Sequence, residues 1–544
     1  MTAIDLRTFD QPTTDRLSGR ARSAAAVAVI VALAAVARFG LIAWPFWNDS
    51  GLYVALGRSV ARGDVLYRDF YETKLPGAAM LMSAAWRAFG PCWPAYVTAQ
   101  FAMTLIAAGA IARAVGRHVG AAAALPCFLY TVAHLNFDYA VFTGFQLETI
   151  QALFECLAAA SAIEAMASGD DRPPFATNPA ECDIKGSCDI KRPGPFMSHR
   201  GLSAFVTGLA AGVAAMAKPG GAGVAVALVV CLLLGRRWRA VTAVGFGFAI
   251  PTAATVLFTV GTGAWPYLPG VLGDIRRYAA GTPMRWEDAV KVLVLLMGLA
   301  IPFTLCVIGS GARGFRSAAP GGAPGGATPP LRGRRSRIIP FLALWLLLDL
   351  AAAIAQHRMY LYYFLPLAGP AAVLYGLAAK KISPVRMTIG LLPVALLSLT
   401  WEACDPAHWS RGLQPAALSA YITANTTPAD RVYIDPPGRL TIETDRDPGA
   451  SAGVLFYWVN DDTAPRRFCD RLIADLDYHR TKYVVLATKW DVPIPPMADG
   501  DILTRNPGRR TAFVENWARF RTWLHRHYTV EAAIDGRLVF RRNP

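Results

Sequence analysis

Apolar residues in this chain fall in long runs, and that feature limits the fold more than any other. Stretches 27–43, 222–235, 241–260, 290–308 and 338–355 each carry at most one Asp, Glu, Lys or Arg. A helix needs about 20 mainly apolar residues to cross the hydrocarbon core of a bilayer. No water is there to satisfy a stray backbone amide, so the spans must be helical. The pattern predicts a polytopic α-helical membrane protein. Charged residues make up 17% of the chain, against about 25% in an average soluble protein.

Eleven spans are expected, at about 23–43, 94–112, 119–134, 146–167, 202–217, 219–235, 241–260, 289–311, 338–355, 359–379 and 385–401. The apolar block 77–89 ends at Gly90-Pro91 after about thirteen residues, short of a span. It is expected as an amphipathic or re-entrant helix on the outer face. Residues 1–22 form a polar leader without a clear cleavage site after it, so 23–43 is expected to serve as a signal anchor.

Charge sets the orientation. The chain carries a net charge of +16, which in a soluble protein would suggest nucleic acid. Here it divides by loop. With the N-terminus inside, the inner loops hold 23 Lys and Arg and the outer loops hold 10. That asymmetry follows the positive-inside rule, and no nucleic-acid partner is expected. It places the loop at 44–93 and the C-terminus outside. A multi-pass protein of a bacterial inner membrane is the expected setting. The nine cysteines include no CxxC pair, so neither a zinc site nor a disulfide framework is indicated. The inner loop 169–200 repeats Cys-Asp-Ile-Lys at 182–185 and 188–191. No histidine accompanies the repeat, and it reads as a local duplication. The Gly/Pro/Arg-rich loop 312–337 reads as a linker.

From about residue 402 the composition changes. Long apolar runs stop, and 19 basic residues face 18 acidic ones. Short β-rich runs at 431–434, 483–487, 528–533 and 538–540 alternate with helix-like segments at 415–425, 466–478 and 512–527. A soluble α/β domain over 402–544 is expected, following a transmembrane domain over 23–401.

The chemistry is expected in the outer loop. Asp49 lies just past the first span, where a carboxylate is partly shielded yet reaches an external substrate. It also suits a helix N-cap in Asn48-Asp49-Ser50, and the two roles are compatible. Lys74 opens the short outer helix at Lys74-Leu75-Pro76, a position suited to an anion. Lys218 and Arg358 each stand in a very short outer turn, the latter beside His357, while Arg276 and Arg277 lie in the outer loop 261–288. Snorkelling to the interface is the competing explanation for all of these cations. Asp138 and Glu148 flank the turn into the fourth span, and Glu148 needs a partner there.

In order, these residues resemble the GT-C superfamily of polyprenyl-phosphate-sugar-dependent glycosyltransferases. The motifs are Asp49 with Tyr53, Gly63 with Tyr67, Lys74 to Gly77, and Phe89 to Pro91. Gly208 to Gly212 ahead of Lys218-Pro219, Arg236 to Arg239, and Tyr362 to Leu367 follow. The nearest branch is the bacterial family 39 type, related to protein O-mannosyltransferases and the lipid A aminoarabinose transferase. The resemblance covers about 24–400. It implies transfer, with inversion, from an undecaprenyl- or decaprenyl-phosphate sugar to a lipid, glycan or protein acceptor. Asp49 would be the base. Lys74, Lys218 and Arg358, with Arg276 or Arg277, would hold the phosphate, and Tyr53, Tyr67, Glu148, Asp138 and His357 would support the acceptor side. The family commonly has Asp-Glu where this chain has Asp49-Ser50, and Lys-Pro-Pro where it has Lys74-Leu75-Pro76. The first departure leaves a divalent cation at Asp49 an open question. A lipid-linked-sugar flippase, or a sensor with an outer ligand-binding domain, are the rival readings. A flippase would be expected to show paired halves or charges at span centres, and a sensor leaves the charged first loop unexplained.

Overall fold

The computed structural model describes residues 11–40, 48–136, 146–167, 199–280, 290, 331–355, 361–379, 386, 390–391, 416–435, 439–451, 464–488 and 507–544. Five helices among them are long and apolar enough to cross a membrane. They are Ala21–Phe39 within α1 (Gln11–Gly40), α4 (Trp93–His118), α6 (Leu147–Ala167), α7 (His199–Ala217) and α9 (Trp238–Gly261). Shorter apolar helices occupy 121–136, 219–234, 338–354 and 363–378. They include α5 (Ala121–Asn136), α8 (Gly223–Leu234), most of α11 (Leu331–Ile354) and α12 (Ala368–Ala379). The expectation of eleven spans is therefore met in part. The described residues hold five of full length and four shorter helices, while 289–311 and 385–401 lie outside them except at 290, 386 and 390–391.

The bundle is closed by small residues. Among lipid tails there is no hydrophobic gain in joining apolar helices, so close van der Waals contact must do the work. Gly208 and Gly212 of α7 lie four residues apart on one face. A Cβ on Gly208 would stand 2.1 Å from the Val244 carbonyl oxygen of α9, and one on Gly247 would stand 2.1 Å from that of Phe205. The two backbones thus touch through glycine from both sides. Helix α6 is buried nearly throughout, including the polar side chains of Glu148, Thr149, Gln151 and Glu155.

Two helices precede α4 without spanning. Helix α2 (Asn48–Ala61) packs on α3 (Pro76–Phe89), where a Cβ on Gly57 would lie 2.3 Å from the Met82 carbonyl oxygen. Helix α3 has Pro76 in its first turn, where the missing N–H has no helical partner to lose. Its 14 residues extend about 21 Å, less than a hydrocarbon core of about 30 Å. It buries Pro76, Gly77, Ala78, Ala79, Met82 and Ser83 and exposes Ala84, Arg87 and Ala88. Helix α10 (Leu268–Ala280) follows α9 at the same end of the bundle as the loop 62–75.

In the C-terminal part, α13 (Ala416–Asn425), α14 (Arg439–Thr444), α15 (Ala464–Tyr478) and α16 (Pro507–His527) accompany four strands. These are β1 (Val432–Ile434), β2 (Tyr483–Ala487), β3 (Tyr528–Ile534) and β4 (Arg537–Arg542). The sheet order is β1-β2-β4-β3, with β1 parallel to β2 and the other pairings antiparallel. Trp517, Phe520 and Leu524 of α16 are buried with Phe468 and Leu472 of α15.

This part docks on the end of α2 and on the loop between α2 and α3. Arg58, with no exposed side chain, pairs with Asp445 at 3.0 Å and Asp447 at 3.5 Å, and Arg62 reaches Asp447 at 3.4 Å. The Tyr71 amide donates to the Ser451 carbonyl at 2.8 Å. The C-terminal part and the loop carrying Lys74 therefore lie at one end of the bundle. A cysteine placed at exposed Arg87 and a reporter fused after Pro544 should be accessible from the same side of the membrane, and opposite accessibility would contradict this docking. In the bundle, Gly247→Val should sharply reduce the yield of folded, detergent-extractable protein, whereas the same change at Gly245, which has open space around it, should not.

Candidate functional site

Asp49 sits in the first turn of α2 and is partly accessible to solvent. Four charged side chains from three other segments act on it: Lys74, Glu148, Glu72 and Lys218. Lys74 and Glu72 come from the loop before α3, Glu148 from the first turn of α6, and Lys218 from the turn after α7. Burial raises the Asp49 carboxyl above its ordinary value. Lys74 is the largest opposing influence, Glu148 and Glu72 raise it further, and Lys218 lowers it.

The two cations are held differently. Lys218 Nζ lies 2.5 Å from Glu148 Oε1 and 3.9 Å from the centre of the Tyr363 ring. Desolvation pulls its ammonium below the usual lysine range, and Glu148 opposes that. Lys74 Nζ stands 5.6 Å from the centre of the buried Tyr53 ring. Among the described residues Lys74 makes no ion pair. Its backbone is fixed instead, since the Tyr67 hydroxyl donates to the Lys74 carbonyl at 2.7 Å. Glu72 is fully buried and accepts from the Thr73 amide at 2.8 Å.

Beneath Lys218 the polar face of α6 continues inward. Glu148, Gln151 and Glu155 follow at helical spacing, and Gln151 Nε2 donates to Glu155 Oε1 at 2.8 Å. The turn Pro219–Ala222 rests on this face. A Cβ on Gly220 would lie 3.2 Å from Gln151 Nε2, and one on Gly223 2.6 Å from Asp349 Oδ1. Glycine here lets the backbone that carries Lys218 descend onto polar side chains.

Of the residues singled out from sequence, the fold brings together Asp49, Tyr53, Tyr67, Lys74, Glu148 and Lys218. Arg277 pairs with Asp274, which also accepts the Tyr71 hydroxyl and lies 2.7 Å from Arg467. Asp274 thereby joins α10 to the C-terminal part. Arg276 is exposed on α10. Asp138, His357 and Arg358 lie outside the described residues. Sequence reasoning missed Glu72 and Tyr363. Glu72 stands two residues before Lys74, and Tyr363 lies inside the quoted 362–367 motif, but neither has a pattern that assigns it. Among the described residues no group of three or more His, Cys, Asp or Glu is placed to hold a metal ion. Glu148 is committed to Lys218.

Comparison by sequence finds no matching family model and no matching curated protein. Among solved structures the chain is distantly similar to the apo oligosaccharyltransferase of Archaeoglobus fulgidus. The identity is 13% and the TM-score 0.45, over 88% of this chain and 72% of that one. It is also distantly similar to ArnT from Cupriavidus metallidurans. The apo form gives 15% identity and a TM-score of 0.43, over 94% and 97% of the two chains. The form bound to undecaprenyl phosphate gives 14% and 0.37 over the same shares.

The raised Asp49 carboxyl has a measurable consequence. A hydrophobic carbodiimide modifies the protonated acid, so labelling is lost as pH rises through the group's pKa. Labelling of the Asp49 peptide, followed by mass spectrometry, should persist to higher pH than the ordinary aspartate value of about 3.9. Lys74→Met removes a lowering influence and should move the midpoint up. Glu72→Gln removes a raising one and should move it down. A midpoint at or below the ordinary value would contradict the burial of Asp49.

Proposed function

We propose that this protein is a membrane glycosyltransferase of the GT-C type. It moves a sugar from a polyprenyl-phosphate donor to a hydroxyl-bearing acceptor at the membrane face where α2 and α3 lie. The observation that carries this reading is the grouping of a shielded carboxylate, Asp49, with two ammonium groups, Lys74 before the short helix α3 and Lys218 at the end of the membrane helix α7. Such charges are costly at a bilayer edge unless they serve a purpose.

The reaction needs this set. The acceptor oxygen forms a bond to the anomeric carbon while the bond from that carbon to the phosphate oxygen breaks. Asp49, ionised, takes the acceptor's proton. Burial raises its pKa above the ordinary value, which makes the ionised carboxylate a stronger base. Negative charge grows on the departing polyprenyl phosphate, and a fixed cation stabilises it most where water is excluded. Lys74 is the principal candidate, because its ammonium is not committed to a carboxylate among the described residues. Lys218 is already neutralised by Glu148 and contributes position and a partial field. A nucleophile and a leaving group on opposite faces of the sugar give inversion. The lipid tail lies in the bilayer beside the bundle, and the acceptor comes from the side of the C-terminal part.

Asp49→Asn preserves size and the helix start while removing the base. It should leave an inserted, folded protein whose transfer rate falls by about 10²–10⁴. Comparing cell-envelope glycans and lipids with and without the gene by mass spectrometry identifies the acceptor. The Asn variant should then fail to restore the missing sugar, and full restoration would reduce Asp49 to a helix cap.

A further inference from the structure

We infer that Arg471 of α15 is a positioning residue for the reacting site, acting through a strained turn onto Lys74. The inference rests on the proposed role of Lys74 toward phosphate and adds a residue from the C-terminal part to that site.

Tyr67 has φ +70°, the left-handed region that a bulky side chain rarely adopts. Such a conformation persists only where its surroundings over-determine it. Within the turn, the Tyr67 amide donates to the Phe70 carbonyl at 2.9 Å, and the Asp69 carboxylate accepts the Val65 amide at 2.8 Å. From outside, one atom closes it. Arg471 Nη2 donates to the Tyr67 and Arg68 carbonyls, each at 2.8 Å. Arg471 is itself oriented, because its Nε donates to Ser451 Oγ at 2.7 Å and its guanidinium lies 5.4 Å from the centre of the Tyr71 ring. Ser451 in turn receives the Tyr71 amide and donates its own amide to Asp475 at 2.8 Å.

With its backbone fixed this way, the Tyr67 side chain is buried and its hydroxyl reaches the Lys74 carbonyl. The path is short. Arg471 holds the Tyr67 backbone, the Tyr67 side chain holds the Lys74 backbone, and Lys74 carries the ammonium proposed to meet the phosphate. A lysine at 471 would keep the charge but lacks the planar fork that serves two carbonyls and a hydroxyl together.

The test uses the full chain in detergent, with undecaprenyl phosphate as probe, and compares R471A, R471K, K74M and the double variant R471A/K74M. Losing one charge-assisted contact should weaken binding about tenfold in R471A and in K74M. The double variant should be no weaker than K74M alone, because Arg471 acts through Lys74. R471K should not rescue. Hydrogen exchange at the amides of 67–71 should be at least about tenfold faster in R471A than in the parent, and unchanged in K74M. Wild-type affinity in K74M would overturn the phosphate role of Lys74, and this inference with it. An intact effect of K74M together with additive losses, or with unchanged exchange in R471A, would overturn the inference alone. Should R471A fail to fold, Tyr67→Phe removes only the hydroxyl that reaches Lys74 and enters the same cycle. Parent-like binding in that variant would also overturn the inference.

Discussion

The pair of Lys218 and Glu148 fixes the geometry on which the rest of the site depends. Both side chains are almost wholly removed from solvent. An isolated charge there would lose several kcal/mol of hydration, and removing one partner of such a pair typically costs about 3–5 kcal/mol. The pair therefore locks the first turn of α6 to the end of α7. That lock sets where the glycine turn 219–223 descends and where Tyr363 meets the ammonium. It also leaves Lys218 a neutralised cation, and Lys74 becomes the group whose charge is available.

Around this anchor the fold alternates two kinds of contact. Between α7 and α9 the backbones meet through Gly208 and Gly247, because close approach is what joins apolar helices in a medium as apolar as they are. Beneath Lys218 the contact is polar, through Gln151, Glu155 and Asp349. Burying polar groups in a bundle is unfavourable unless they satisfy one another, so this face of α6 can pack only against a backbone that comes close without side chains of its own. The glycines after Lys218 meet that requirement.

The loop between α2 and α3 is held from the other side. It is dense in acids and bases, and together with the end of α2 it is engaged at Arg58, Arg62, Tyr67, Arg68 and Tyr71 by residues more than 200 positions away. Arg58 and Arg62 face partly exposed aspartates, so each of those pairs contributes modestly. The bonds to the Tyr67 and Arg68 carbonyls carry more structural weight, because they hold a backbone conformation the turn would not keep unaided.

The sequence by itself determined the helical membrane architecture, since apolar runs of span length leave the backbone no other way to satisfy its hydrogen bonds. It also marked α3 as too short to cross, and it singled out Asp49, Lys74, Glu148 and Lys218, because charge at a membrane edge stands out against apolar surroundings. The short β-rich runs after residue 430 fall on strands, because β-branched and aromatic residues suit a pleated, partly buried backbone. Only the tertiary structure decided which charges meet. Lys218 and Glu148 are 70 positions apart, and nothing in either segment encodes the other. Glu72 was illegible because a buried carboxylate in a polar loop looks like any surface acid. Arg277 pairs with Asp274 one turn earlier in the same helix, and what only the fold shows is that Asp274 also meets Tyr71 and Arg467. Arg471 had no signal at all: its partners are backbone carbonyls, which every residue possesses, and only the folded chain decides which of them it reaches.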